Sequence, residues 1–255
     1  MKFSLFSLVF FSLLLLQGCF FEEPKKELIS KGLSPKEIFF EARQFVSEGS
    51  IDEAIVAFDR LQAAYPASKY SIQAKLEIVY ALYKNEKYDE ALNRLNEYIK
   101  LLPSHFTTPY AYYMRGLISE NKSKSIIDEF FTDNAQRDIS SVKDSMNYYL
   151  ALVDKFPNSE YSDEVKTKMI SLRNILSRHE LFVAIFYTKK EAHIAAINRC
   201  KYIIEKFPNT PSVPAALHLI AHNYDKINEP ILAIDARRVL KNSYPNYIPH
   251  YTLDD

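Results

Sequence analysis

His218 and His222 stand four residues apart, so a helix over this stretch would put both imidazoles on one face, a spacing that a metal ion can use. Zinc needs further ligands, and neither a third donor nor the adjacent glutamate of a hydrolase motif accompanies the pair. They read as helix-surface or packing histidines, and no metal is expected. Cys200 sits alone on a predicted helix and reads as a small core hydrophobe rather than a catalytic thiol. Asp128, Glu129, Asp133 and Asp138 crowd one polar segment, as either an acidic surface or a solvated loop would. With 4 glycines in 255 residues, no loop is built to cradle phosphate, and no nucleophile elbow or cysteine pair at ligand spacing occurs. The residues offer no reaction chemistry, so the chain is predicted not to be an enzyme and to need no cofactor.

The one covalent chemistry on offer is at the start. Lys2 gives a basic end, Phe3 to Leu16 an apolar run, and Leu16-Gln17-Gly18-Cys19 follows directly. The run is short for a membrane span and suits the core of a signal peptide. The tetrad resembles the lipobox of bacterial lipoproteins. That resemblance implies removal of residues 1–18 and acylation of Cys19 with a diacylglycerol and an N-acyl chain such as palmitate. Several chains together anchor far more firmly than one. Phe20, rather than Asp, after the cysteine points to the outer membrane. Loss of residues 1–18 removes only Lys2 from 32 basic and 32 acidic residues, leaving a formal charge of −1. No overall attraction to nucleic acid follows from such a balance. Cys200 would then have no disulfide partner.

Elements that position side chains appear from Ser34-Pro35, a cap followed by proline at the first helical position. Residues 19–33, with Glu22, Glu23, Pro24, Lys25, Lys26 and Glu27, read as the lipidated cysteine and a polar linker. Beyond it, an apolar residue before proline recurs at Tyr65-Pro66, Leu102-Pro103, Phe156-Pro157, Phe207-Pro208 and Tyr244-Pro245. Proline removes a backbone donor and drives its predecessor out of the helical region, so each pair ends a helix. Ser68, Ser159 and Thr210, two residues on, suit N-caps of the next helix.

Alignment on the prolines gives columns. Twelve residues upstream lie Ala54, Ala91, Ser145, Ala196 and Ala233, all small. Five upstream lie Leu61, Tyr98, Leu152, Ile203 and Leu240, all large and apolar. Eight downstream of the first four lie Ala74, Ala111, Val165 and Ala216. Small residues on two helices let them cross closely, and large ones fill the shared core. Short polar turns at 48–50, 85–87 and 226–229 separate the helices of a pair. The spacing resembles the tetratricopeptide repeat, a helix-turn-helix unit of about 34 residues. The prolines are 37, 54, 51 and 37 residues apart. The two long intervals predict a polar insertion near Lys122 to Asp138, containing Phe130-Phe131, and a first helix in the fourth repeat longer by about four turns. The predicted fold is all-α, a right-handed solenoid of five such repeats. Repeats one to three occupy residues 34–157, and repeats four and five with a short irregular tail occupy 158–255. Tyr65, Tyr70, Tyr80 and Tyr83 fall where the first two repeats meet, as walls of a peptide groove or as simple inter-repeat packing.

Several stretches go beyond a generic repeat. Tyr112-Tyr113-Met114-Arg115-Gly116-Leu117, Gln136-Arg137-Asp138, Phe156-Pro157-Asn158-Ser159-Glu160-Tyr161, Leu172-Arg173-Asn174, His179-Glu180 and Ala196-Ile197-Asn198-Arg199 resemble the BamD (ComL) family from the lipobox to about Pro245. The resemblance implies a scaffold lipoprotein on the periplasmic face of the outer membrane, within the machinery that folds β-barrel proteins. Its implied partners are a periplasmic domain of a BamA-type barrel protein, accessory Bam lipoproteins and the C-terminal signals of unfolded barrel substrates. It implies that repeats one to three receive substrate and repeats four and five dock the barrel subunit. Arg199 is then the partner-contact candidate, through a bidentate bond to a carboxylate. The alternative for Arg199 is an ion pair within the chain. The alternative function is another lipidated repeat adaptor, such as a secretin pilotin or a cell-wall adaptor.

Overall fold

The computed structural model describes residues 32–127, 139–251 and 253. Among these are ten helices and no strand: α1 (Pro35–Glu48), α2 (Ile51–Ala64), α3 (Lys69–Lys84), α4 (Tyr88–Leu101), α5 (Thr108–Ile127), α6 (Ser140–Lys155), α7 (Ser162–Lys189), α8 (His193–Lys206), α9 (Ser212–Lys226) and α10 (Pro230–Ser243). The leader, Cys19 and the acidic residues Asp128, Glu129, Asp133 and Asp138 lie outside the described residues. No helix among the described residues is long and apolar enough to cross a membrane.

Two compact units divide the chain, one ending at Ala74 and one beginning at Lys75, within α3. In the first, α1 opens with a complete capping box: Ser34 takes the Glu37 N–H, and the Glu37 carboxylate takes the Ser34 N–H at 2.8 Å. α1 packs on α2 through Ile38, Phe39, Ala42, Ala54, Ala57, Phe58 and Leu61, all buried. In the second unit each helix from α4 to α9 packs on its successor, and α7 also packs on α9, as first helices of adjacent repeats do.

The repeat columns are the core. Ala54, Ala91, Ser145, Ala196 and Ala233 are all fully buried, and so are Ala74, Ala111, Val165 and Ala216. Of the large column only Leu240, in the last repeat, keeps partial exposure. At all five prolines the preceding residue leaves the helix with φ between −138° and −124°, and its N–H closes the last helical bond. Its carbonyl is left without a helical partner, and in the first four copies a hydroxyl answers it. Ser71 Oγ donates to Tyr65 O at 2.6 Å, Thr108 Oγ1 to Leu102 O at 2.6 Å and Ser162 Oγ to Phe156 O at 2.8 Å. All three hydroxyl residues sit five places after proline. The fourth copy has Val213 there, and Thr210 Oγ1 donates to Phe207 O instead, at 2.8 Å.

This changes the expected caps. Ser68 does precede α3 and accepts the Tyr70 N–H at 3.2 Å. Ser159 and Thr210 are not N-caps, because the chain makes a further turn after proline and α7 and α9 begin only at Ser162 and Ser212. The long intervals divide differently too. α7 runs for 28 residues against 14 in α8, close to the expected excess of four turns. In the third repeat α5 continues to Ile127, so the first part of the expected polar insertion is helix.

In the four pairs whose turn is described, the turn holds one left-handed residue. Gly49, Glu86, Glu191 and Asn228 fill that place with φ of 80°, 57–59° and the like, seventeen residues before the closing proline. Glycine adopts this conformation freely, whereas a side chain with Cβ costs about 1–2 kcal/mol there. Glu86→Gly and Glu191→Gly are each expected to raise stability by about 1 kcal/mol in a urea titration. A loss in either variant would show that its glutamate side chain makes a compensating contact.

Candidate functional site

Arg199 leaves α8 beside the buried face formed by Ala196, Ile197, Cys200 and Ile203. Its Nη1 donates to Glu180 Oε2 at 3.0 Å, from α8 to the extended part of α7. The two partners are unequally placed, with the Glu180 side chain 11% exposed and that of Arg199 45% exposed. A buried carboxylate thus holds one edge of the guanidinium while much of the group faces solvent. Interface and internal ion pair are therefore compatible: the pair orients the arginine, and the exposed part remains available. His179 stands next to Glu180 with its Nδ1 buried and without a hydrogen-bond partner. Burial holds its pKa below the usual imidazole value against the opposing effect of Glu180.

The four tyrosines do not form one described cluster. In the first unit Tyr65 donates to Leu33 O at 3.1 Å, and Tyr70 packs on Phe39 with ring centroids 5.5 Å apart. In the second, Tyr83 accepts from Asn121 Nδ2 at 2.7 Å, while Tyr80 is 42% exposed. Three of the four are therefore engaged within the fold, and Tyr80 presents the most open ring.

A network that sequence reasoning missed joins α5, α6 and α7. Glu120 accepts from Tyr149 Oη at 2.9 Å and Lys168 Nζ at 3.1 Å. Lys168 also lies 3.8 Å from Glu164, which accepts from Tyr113 Oη at 2.9 Å. Tyr113 stacks on Tyr161 at 4.9 Å, and Tyr110 meets the same ring at 5.9 Å. Burial, reinforced by Glu164 and Glu120 respectively, pushes the phenols of Tyr113 and Tyr149 well above their usual range, and burial with Glu160 takes Tyr161 to about 12. All three remain protonated donors at neutral pH. The sequence signal was the Tyr112-to-Leu117 stretch and the Phe156-to-Tyr161 turn, but not which carboxylate each ring meets.

His218 and His222 both lie on α9. Among the described residues no group of three potential ligands converges. His218 Nδ1 instead lies 2.8 Å from Tyr251 Oη. Cys200 is fully buried and its thiol is pushed up to about 12 by burial, so it stays neutral and packs as a hydrophobe.

A family model described as "Outer membrane lipoprotein" (YfiO) matches residues 31–239, which takes in all five helix pairs up to α10. The chain belongs to the YfiO (BamD) family. Outer membrane protein assembly factor BamD of Xylella fastidiosa strain Temecula1 is 30% identical over 235 residues, covering 92% of this chain and 80% of that protein. BamD of Neisseria gonorrhoeae is 32% identical over 222 residues, covering 87% and 83%. BamD of Haemophilus influenzae is 31% identical over 208 residues, covering 81% and 79%. A tetratricopeptide repeat protein of known structure from Parabacteroides merdae is 14% identical, with a TM-score of 0.42 over 84% of this chain and 80% of its own. The BamD family expectation drawn from the short motifs holds over the residues that the family model matches, 31–239.

Proposed function

We propose that this chain is a non-catalytic scaffold of outer-membrane protein assembly, anchored through lipid on Cys19 to the periplasmic face of the membrane. Its C-terminal repeats dock a periplasmic domain of a BamA-type barrel subunit. Its N-terminal repeats, up to Pro157, help to receive unfolded barrel substrates, with Tyr65, Tyr70, Tyr80 and Tyr83 as groove residues. The observation that carries this reading is the family match from residue 31 to 239, with relatives named as assembly factors aligned over about four-fifths of their length. Arg199 supplies the docking contact, since Glu180 fixes its guanidinium and leaves part of it open.

Arg199→Glu is expected to reduce co-purification of the chain with a BamA-type protein by at least about tenfold, as loss of a desolvated charge pair does. Because the new carboxylate would face buried Glu180, Arg199→Gln serves as the companion variant, with melting curves to show that both remain folded. Unchanged recovery of the complex from folded variants would remove Arg199 from the interface.

A further inference from the structure

Arg115 stands in mid-α5, partly exposed, and among the described residues its guanidinium donates to no acceptor. Of its unpaired nitrogens only Nε is buried, so the Nη groups meet solvent. Two rings hold the group in place. The centroid of Tyr148, on α6, is 4.0 Å from the guanidinium carbon, and that of Tyr112, one turn earlier on α5, is 5.8 Å away. Tyr112 carries a second cation as well. Lys155, the last residue of α6, has its Nζ 5.3 Å from the Tyr112 centroid and donates to the Tyr112 hydroxyl at 3.0 Å. Tyr112 is buried and meets Phe156 edge-on at 5.4 Å, which fixes the ring that the two cations share. Among the described residues no carboxylate, Asp144 and Asp154 of α6 included, forms an ion pair with Arg115 or Lys155.

Ring faces attract both cations but neutralise neither. An arginine fork held flat, with its outer donors free, is preorganised for a planar oxyanion, which it meets with two parallel hydrogen bonds. We propose that Arg115 and Lys155, walled by Tyr112 and Tyr148, form a receptor for one carboxylate side chain of a protein partner. The site belongs to the third repeat and does not depend on the docking role given to Arg199 of α8.

The surroundings select a carboxylate over a phosphate. Phosphate sites draw on free backbone N–H groups at the positive end of a helix. Arg115 is in a helix interior, where those groups are already bonded, and Lys155 closes α6 at its negative end. That end disfavours a second negative charge on the ligand. The tyrosine faces also suit the apolar stem of a glutamate or aspartate side chain.

The test is an NMR titration of the full chain with a blocked tetraglutamate peptide, following the Arg115 Nε–H and the Tyr148 ring. Inorganic phosphate and sodium chloride, at matched ionic strength, are separate arms. The peptide is expected to shift both signals along one saturating curve in the millimolar range, and phosphate to do no more than chloride. Arg115→Lys keeps the charge but loses the fork, and should weaken the peptide by at least about tenfold, read at Tyr148. Lys155→Gln should weaken it by about threefold. Arg178→Gln, which removes an exposed arginine of α7, should leave it unchanged. The wild-type titration decides the matter even if Arg115→Lys does not fold. The receptor is refuted by shifts that chloride reproduces, or by a folded Arg115→Lys that binds the peptide as before. Tighter binding of phosphate than of the peptide would overturn the choice of a carboxylate.

Discussion

Gly116→Ala is expected to destabilise the chain by about 3 kcal/mol, although alanine in a helix interior normally gains up to about 1 kcal/mol over glycine. Gly116 lies in mid-α5, where α6 approaches so closely that Ser145 Oγ donates to Gly116 O at 2.9 Å. A Cβ added at Gly116 would overlap three carbons of the Tyr149 ring. That ring cannot step aside: it is fully buried, and its hydroxyl is held by Glu120. Relieving the overlap means parting α5 from α6 or expelling Tyr149, and expulsion also removes one of the two donors, Tyr149 and Lys168, that meet the Glu120 carboxylate. For a chain of this length the melting temperature should fall by roughly 6–12 °C. The double variant with Tyr149→Ala makes the cause visible, since without the ring the alanine should be neutral or stabilising. An equal loss in both backgrounds would mean that something other than Tyr149 sets the tolerance at this position.

Gly116 also shows what a single sequence could and could not disclose. The prolines and the small and large columns were readable because a repeat imposes the same packing at the same interval, so one residue type recurs where one geometry recurs. Ser71, Thr108 and Ser162 belong to the same class and could have been found, since each follows its proline by five residues. Ser159 and Thr210 drew attention instead because hydroxyls two residues after proline suit a cap, and only the extra turn decides against that reading. Pairings between helices were beyond reach. Glu180 and Arg199 are 19 residues apart on different helices, and whether they meet depends on how the added turns of α7 rotate one against the other. The same holds for the tail. Pro245 and Pro249 announce irregular chain, but its docking on His218 depends on packing across 33 residues of sequence.

The function was legible for a different reason. Columns describe only how repeats stack, and many unrelated proteins stack repeats that way. The stretches that singled out one family are the ones that break regularity: Tyr112 to Leu117, with the glycine that admits Tyr149, and Ala196 to Arg199, with the arginine anchored on Glu180. The Phe156-to-Tyr161 turn belongs with them, because Tyr161 stacks on Tyr113 beside the Glu164–Lys168–Glu120 chain. The third and fourth repeats are thus joined by polar and aromatic contacts in addition to the apolar columns. Generic repeats have no need of such contacts, which is why they read as signature rather than as period.

Leu152→Ala is expected to cost about 4 kcal/mol, the upper part of the range for a buried leucine, while Leu240→Ala in the same column should cost about half as much. Leu152 is fully buried in a cluster with Tyr112, Ile139, Val142, Tyr149, Val165, Leu172 and Leu176, drawn from α5, α6 and α7. Its removal leaves a cavity walled by aromatic rings that hydrogen bonds and stacking hold in place, so the site cannot collapse to fill it. Leu240 occupies the equivalent place on α10, where it packs beside the tail residues Tyr244, Tyr251 and Leu253 and stays partly exposed. A smaller share of its surface was taken from water, and the tail can shift into the gap. Urea titrations of the two variants should preserve this order. Equal losses would mean that the tail packs as firmly as a neighbouring repeat, and negligible loss for Leu152→Ala would break the column on which the assignment of five repeats rests.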